Sequence, residues 1–277
     1  MIIPTFLKWV GGKRKLLKHI DKHLPKKIDR YFEPFLGGCS VFFYIKQKYN
    51  PRYSMISDIN KDLIETYKAV RDNPKELIKY IKYFKKNHSE KFYYATREKL
   101  NKNKLIGIKR CAAFIYINKT CFNGIYRVNS KNEFNVPFGK YKNPKVFNEA
   151  TIYLASKLLK GVKIVCQDYE KLKNYVEKGD FVYLDPCFDP LKKTSFVNYT
   201  PKRFSDEYNE RMALFVAELN RRGVKILFSN NDTPNIRDLY QTKDYFKINL
   251  IYSFRSVGSL GKYREQTPEL LLNNYNK

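Results

Sequence analysis

Short apolar runs recur along the chain at 31–35, 53–57, 162–166, 181–184, 225–228, 246–252 and 269–272, each bounded by turn residues or charge. Runs of this length predict buried strands. Between them the apolar period changes. Leu16, Leu17, Ile20 and Leu24 share one helical face over 11–24, and Val41-Phe42-Phe43-Tyr44-Ile45 starts a helix after the turn Leu36-Gly37-Gly38-Cys39-Ser40. Residues 61–118 read as helices with exposed lysines. Residues 120–141 are rich in Gly, Asn, Pro and aromatics, which predicts an ordered loop or hairpin. Strands alternating with helices imply an α/β domain with a largely parallel sheet. The stretch 60–147 lacks strand alternation, so it is expected to be an insertion between two sheet halves. The last two runs, separated by the loop 258–263, are expected to form an antiparallel edge hairpin.

The chain has 277 residues and a net charge of +27, with 54 Lys and Arg against 27 Asp and Glu. A lysine-rich surface encoded by A/T-rich DNA is the plain explanation. A charge this large still attracts polyanions, and 16% aromatic residues are available for stacking on bases. No apolar stretch approaches the roughly 20 residues of a membrane span, so no membrane partner is expected. The segment from Met1 to Trp9 does not read as a signal peptide. Cys39, Cys111, Cys121, Cys166 and Cys187 form no C-x-x-C pair and predict reduced thiols in an intracellular protein.

Asp185-Pro186-Cys187-Phe188 follows the 181–184 run directly. An acid and a backbone carbonyl at the mouth of a buried strand can accept both hydrogens of an exocyclic amine, while an aromatic stacks on the ring. That is the chemistry of methylating an amino group on a base. Phe35-Leu36-Gly37-Gly38 would let a cofactor approach the backbone, although it is not a dinucleotide fingerprint. Asp58, about 20 residues on, could bind ribose hydroxyls or cap the helix starting near Lys61. Asp168 could accept from an adenine amine beside Tyr169, or be an ordinary cap. Trp9 could wall a pocket or be core, and Lys13 opens a helix N-terminus that favours anions. Asn123, Ile125, Arg127 and Tyr141 suit base edges and stacking, with a polar loop over buried aromatics as the alternative. No metal centre is expected: His19 and His23 are four apart, but no H-E-x-x-H or cysteine pair joins them. G-x-S-x-G and Walker A patterns are missing.

In this order the motifs resemble the Dam-like DNA adenine-N6 methyltransferases of the D12 class. The matching segments are Lys8-Trp9-Val10-Gly11-Gly12-Lys13, Phe35-Leu36-Gly37-Gly38, Ser57-Asp58-Ile59-Asn60, Cys121-Phe122-Asn123-Gly124, Phe134-Asn135-Val136-Pro137-Phe138-Gly139 and Asp185-Pro186-Cys187-Phe188. Thr194-Ser195-Phe196, Arg255-Ser256, and Arg264 before Glu269-Leu270-Leu271 are similar too.

The resemblance implies a Rossmann-like seven-stranded methyltransferase sheet and S-adenosylmethionine as donor. It places Trp9, Lys13, Phe35, Gly37, Gly38, Asp58, Asp168, Tyr169 and Asp185 around the cofactor. Asp185, the carbonyl of Pro186 and the ring of Phe188 would grip an adenine flipped out of duplex DNA. Lys8, Asn123, Ile125, Arg127, Pro137 and Tyr141 would read DNA, and their pattern resembles members that read GATC. Residues 1–60 and 148–277 would form the catalytic domain, and 61–147 a mainly helical target-recognition insertion carrying the loop 120–141. Further implied partners are a cognate restriction endonuclease and, for assembly, a monomer or weak dimer. The implied compartment is the cytoplasm or nucleoid of a bacterium, or a host cell for a viral protein.

One departure matters: Cys187 stands where the family has proline, and Phe188 where it has tyrosine. A catalytically weakened or inactive DNA-binding homologue is therefore the alternative. A cytosine-C5 methyltransferase would use a Pro-Cys thiol, but its Glu-Asn-Val motif is missing and the target-reading segment here precedes the motif. RNA or protein substrates fit less well, because the insertion resembles a duplex reader.

Overall fold

The computed structural model describes residues 1–186, 206–240, 246–254 and 266–276. The strands are β1 (Arg30–Glu33), β2 (Tyr53–Asp58), β3 (Lys163–Cys166), β4 (Phe181–Leu184), β5 (Lys225–Asn231), β6 (Lys247–Phe254) and β7 (Gln266–Asn273). The helices are α1 (Leu17–Asp21), α2 (Ser40–Tyr49), α3 (Lys61–Asp72), α4 (Pro74–Lys86), α5 (Glu90–Asn101), α6 (Gly107–Thr120), α7 (Glu149–Leu159), α8 (Asp206–Arg221) and α9 (Pro234–Tyr240).

The strands form one seven-stranded sheet in the order β3-β2-β1-β4-β5-β7-β6. β1 pairs in parallel with β2 and β4, and β4 in parallel with β5. β7 runs antiparallel to both β5 and β6. This is a mixed α/β sheet, parallel through β5 and closed by an antiparallel pair, with the seven strands that the resemblance implied. Alternate residues of the central strands enter two separate cores. Tyr31, Phe181 and Tyr183 pack on one face with α2, α3 and α7 side chains. Phe32, Val182 and Leu184 pack on the other with Leu172, Phe215, Leu219 and Ile236. Burial on both faces is why these strands read as unbroken apolar runs rather than alternating ones.

Two expectations need correction. First, the helix expected over 11–24 is a 3-10 turn, Lys13–Leu16, followed by α1 alone. Gly11 has a φ of +79°, which breaks a right-handed helix at its start, and Pro25 disfavours helical backbone at Leu24. Second, the first strand stops at Glu33, because Pro34 has no N–H to continue a ladder. The expected antiparallel hairpin of β6 and β7 does lie at the edge of the sheet, with β6 outermost. Leu270, Leu271 and Leu272 are all fully buried, because both faces of β7 are covered. β6 leaves Leu250 and Tyr252 exposed.

Over 61–118 the chain is helical, as α3 to α6. α3 packs on β2 and β3 as well as on α4, α6 and α7. The segment 120–141 folds back on itself through bridges Cys121–Phe138 and Val128–Phe134. Phe122 N–H donates to Pro137 O at 2.9 Å and Asn135 N–H to Arg127 O at 3.1 Å. No helix among the described residues is long and apolar enough to cross a membrane.

Candidate active site

β1 lies between β2 and β4, so the winding direction reverses between β1 and β4. In open α/β sheets the crevice at such a switch point, beyond the carboxyl ends of the strands, binds ligands. Four acids stand there: Glu33 ends β1, Asp58 ends β2, and Asp168 and Asp185 follow β3 and β4.

The glycine turn is built around Trp9. Gly37 has a φ of +44°, and a Cβ placed there would lie 2.8 Å from Trp9 Cδ1. Gly38 abuts the same side chain, its Cβ position lying 3.3 Å from Trp9 Cβ. Asp58 locks this turn. Its Oδ2 accepts from Gly37 N–H at 3.2 Å and its Oδ1 from Asn60 N–H at 3.0 Å. Burial pushes Asp58 up to about 6, against the pull of the Asn60, Gly37 and Ile59 amides. The cap of α3 is Asn60, whose Oδ1 accepts from Leu63 N–H, so Asp58 is not spent on capping. Asp168, by contrast, is a cap: its Oδ1 accepts from Glu170 N–H at 2.9 Å, at the start of the 3-10 turn Tyr169–Asn174. Tyr169 is buried and backs Phe35, the ring centroids 5.4 Å apart.

The second cluster centres on Lys13, which is only 3% exposed. Its Nζ donates to Asp185 Oδ1 at 2.7 Å and to Gly11 O at 3.2 Å, and lies 3.7 Å from Glu269 Oε2. Burial pushes Asp185 up to about 6; Lys13 holds it down and Glu269 adds to the rise. Pro186 is buried beside it. Glu33 lies within electrostatic reach of Asp185 and accepts the Tyr31 hydroxyl at 2.7 Å. Burial raises Glu33 to about 8, so it is protonated at neutral pH.

The third cluster is the hairpin. Asn118 clamps the Lys8 backbone, accepting from its N–H at 2.8 Å and donating to its C=O at 2.8 Å. The Lys8 stem fills the space above Gly124, where a Cβ would meet Lys8 Cδ at 2.2 Å, and its ammonium sits 5.0 Å from the Tyr141 ring centroid. Asn123 and Pro137 are exposed, and Ile125 is half-buried. Arg127 is turned along the hairpin, with Nε donating to Asn135 Oδ1 at 2.7 Å and Nη2 to Asn135 O at 3.4 Å. Trp9 stacks on Tyr126 at 5.1 Å and 20°. The dipeptide Lys8-Trp9 therefore touches both the hairpin and the glycine turn.

Sequence reasoning thus named residues that fall into three adjoining groups: Trp9, Gly37, Gly38 and Asp58; Lys13 and Asp185; Lys8, Tyr141 and the hairpin. It missed Glu33, Glu269, Asn118 and Tyr126. An acid inside an apolar run, in Tyr31-Phe32-Glu33 and Glu269-Leu270-Leu271, was the available signal for two of them. Cys187, Phe188, the 194–196 motif, Arg255, Ser256 and Arg264 lie outside the described residues.

Residues 9–256 match the family model of the D12 class N6 adenine-specific DNA methyltransferases. The chain is 42% identical over 291 residues to Type II methyltransferase M.MjaIII of Methanocaldococcus jannaschii, covering 99% of this chain and 100% of that protein. It is 38% identical over 279 residues to Type II methyltransferase M1.LlaDCHI of Lactococcus lactis subsp. cremoris, covering 99% and 96%. It is 34% identical over 272 residues to the DNA adenine methylase of Escherichia coli (strain K12), covering 96% and 94%. With motif order, sheet and near full-length similarity in agreement, the chain belongs to the D12 class N6 adenine-specific DNA methyltransferases.

Proposed function

We propose that the protein transfers a methyl group from S-adenosylmethionine to N6 of an adenine extruded from duplex DNA, with GATC as its site. The observation that carries this reading is Asp185. Its carboxylate stands at the switch point and is pinned through one oxygen by a buried lysine.

The residues present fit the cofactor. Gly37 and Gly38 let Trp9 pack directly on the backbone of the turn as a pocket wall, and Asp58 offers a carboxylate beside them. Phe35, backed by Tyr169, and Asp168 suit the adenine end; Trp9 and Lys13 border the turn and Asp185. S-adenosylmethionine, when bound, supplies an electrophilic methyl on a cationic sulfur. N6 of adenine cannot be reached within the stack, so the base must leave it. Asp185 and the carbonyl of Pro186 then accept the amine hydrogens and turn the nitrogen lone pair outward. Catalysis is positioning and fixed charge, with no covalent enzyme intermediate.

In this reading residues 61–147 read the target through Lys8, Asn123, Ile125, Arg127, Pro137 and Tyr141, and residues 1–60 and 148–277 carry out transfer. Arg127 has five N–H groups and Asn135 occupies two of them, which leaves donors for a guanine edge. The Type II names among the relatives support a place in restriction–modification, with a cognate endonuclease as partner.

Digestion of exposed DNA with methylation-sensitive endonucleases tests the whole reading. Protected GATC sites and recovered N6-methyladenine are expected; unmodified GATC alongside other modified adenines overturns the site. Two variants probe the parts. Gly37→Ala combines left-handed strain with a 2.8 Å contact on Trp9; it is expected to weaken S-adenosylmethionine binding at least about tenfold by calorimetry. Cys187→Pro restores the φ restraint and removes an N–H next to the acceptor carbonyl. It is expected to raise the single-turnover rate at unchanged cofactor affinity, and an equal rate counts against Cys187 as a brake.

A further inference from the structure

Two carboxylates, the half-buried Asp185 and the buried Glu269, share one ammonium at the switch point. Lys13 Nζ is 2.7 Å from Asp185 Oδ1 and 3.7 Å from Glu269 Oε2. Glu269 is 6% exposed, and its Oε2 accepts no hydrogen bond. A buried carboxylate oxygen left in that state is costly. Apolar packing does not call for an acid here, where Leu270, Leu271 and Leu272 follow it in the strand. Its evident partner is the charge of Lys13.

We propose that Glu269 is a positioning residue: its carboxylate tethers the Lys13 ammonium, so that Lys13 occupies Oδ1 of Asp185 and leaves Oδ2 to accept from the base's amine. This rests on the adenine-N6 reading given above. The Lys13 ammonium donates to Asp185 and to Gly11. Among the described residues, Asp185 accepts from Lys13 alone. Without the Glu269 charge the ammonium can shift toward Asp185 and engage both of its oxygens, which removes the acceptor that the substrate needs.

Among the described residues, the groups facing Asp185 are Lys13 from the first turn, Glu269 from β7, Glu33 with its Tyr31 hydroxyl from β1, and Tyr183 from β4. Glu33 is neutral near pH 7, so Lys13 and Glu269 are the charges that set the field there. Lys13 stabilises the Asp185 carboxylate and Glu269 opposes it.

The test uses the full chain with carboxyl-13C aspartate, in which the resonance lost in Asp185→Asn identifies Asp185. In Glu269→Gln, which is nearly isosteric, the Asp185 titration midpoint is expected to move to lower pH, because a repelling charge is gone. Single-turnover transfer to a duplex adenine is expected to fall by about 10- to 100-fold at the same time. Glu269→Asp keeps the charge and is expected to keep the midpoint and most of the rate. An unchanged midpoint in a folded Glu269→Gln protein overturns the tether, as do equal losses in the Asp and Gln variants. An unaltered protein that leaves duplex adenine unmethylated overturns the substrate reading instead; the midpoint, measured without DNA or cofactor, decides on Glu269 separately.

Discussion

Asp185→Asn is expected to lower the single-turnover rate of methyl transfer by about 10³-fold or more while leaving the protein folded. The side chain keeps its shape, but it exchanges an oxygen acceptor for an NH₂ donor. That donor cannot take a hydrogen from N6, and it turns a fixed negative charge at the reacting nitrogen into a neutral dipole. Oriented charge in a site shielded from water accounts for losses of this size when one group is removed. Folding survives because Lys13 retains Glu269 at 3.7 Å as a counter-charge and Gly11 O as an acceptor. Radiolabelled methyl transfer to a duplex oligonucleotide measures the rate, and a variant within tenfold of the unaltered protein removes Asp185 from the mechanism.

The same carboxylate sets an acid limb. Only its ionised form is a full acceptor, and burial places its titration near 6. The saturated rate should therefore be flat above about pH 7 and fall towards tenfold per pH unit well below 6. Asp58 titrates in the same region, but it holds the glycine turn, so its protonation shows in cofactor affinity rather than in the saturated rate. Measuring both against pH separates the two acids.

What could be read from the chain divides by the range of the interaction. β4 was legible to the residue, because 181–184 is apolar on both faces and ends at an acid. Asp58 and Gly37 were legible as types at a spacing, though not that one accepts from the other's N–H. The Lys13–Asp185 pair spans 172 residues of sequence and required the fold. So did the placement of β7 between β5 and β6, since an antiparallel pair looks alike in sequence whichever member is outermost. Arg127 was read as a base contact from its type; its bonds to Asn135 depend on the register of the hairpin, which no local pattern fixes. Glu33 lies inside an apolar strand, where the sequence does not show whether an acid faces a site or is buried in the core.

Glu33→Gln is expected to stabilise the protein, and increasingly so as pH rises. Glu33 is 3% exposed in the floor of the site. Burial is the largest influence on it and, with some repulsion from Asp185, raises it to about 8, against the pull of the Tyr31 hydroxyl and the Phe42 amide. The sign follows from proton counts. Above its ordinary value of 4.5 the unfolded chain has released this proton, whereas the folded protein keeps it until about 8. The folded state thus binds one proton more across that window, and stability falls with rising pH by at most about 1.4 kcal/mol per pH unit. Glutamine carries no titrating proton and still offers an oxygen to the Tyr31 hydroxyl, which donates at 2.7 Å. The two proteins should match near pH 4.5 and diverge steadily to pH 8, with the variant the more stable, in urea unfolding at several pH values. A constant gap would mean that Glu33 is ionised in the folded state. In that case Asp185 would face an ionised carboxylate at Glu33, which would push its own titration upward.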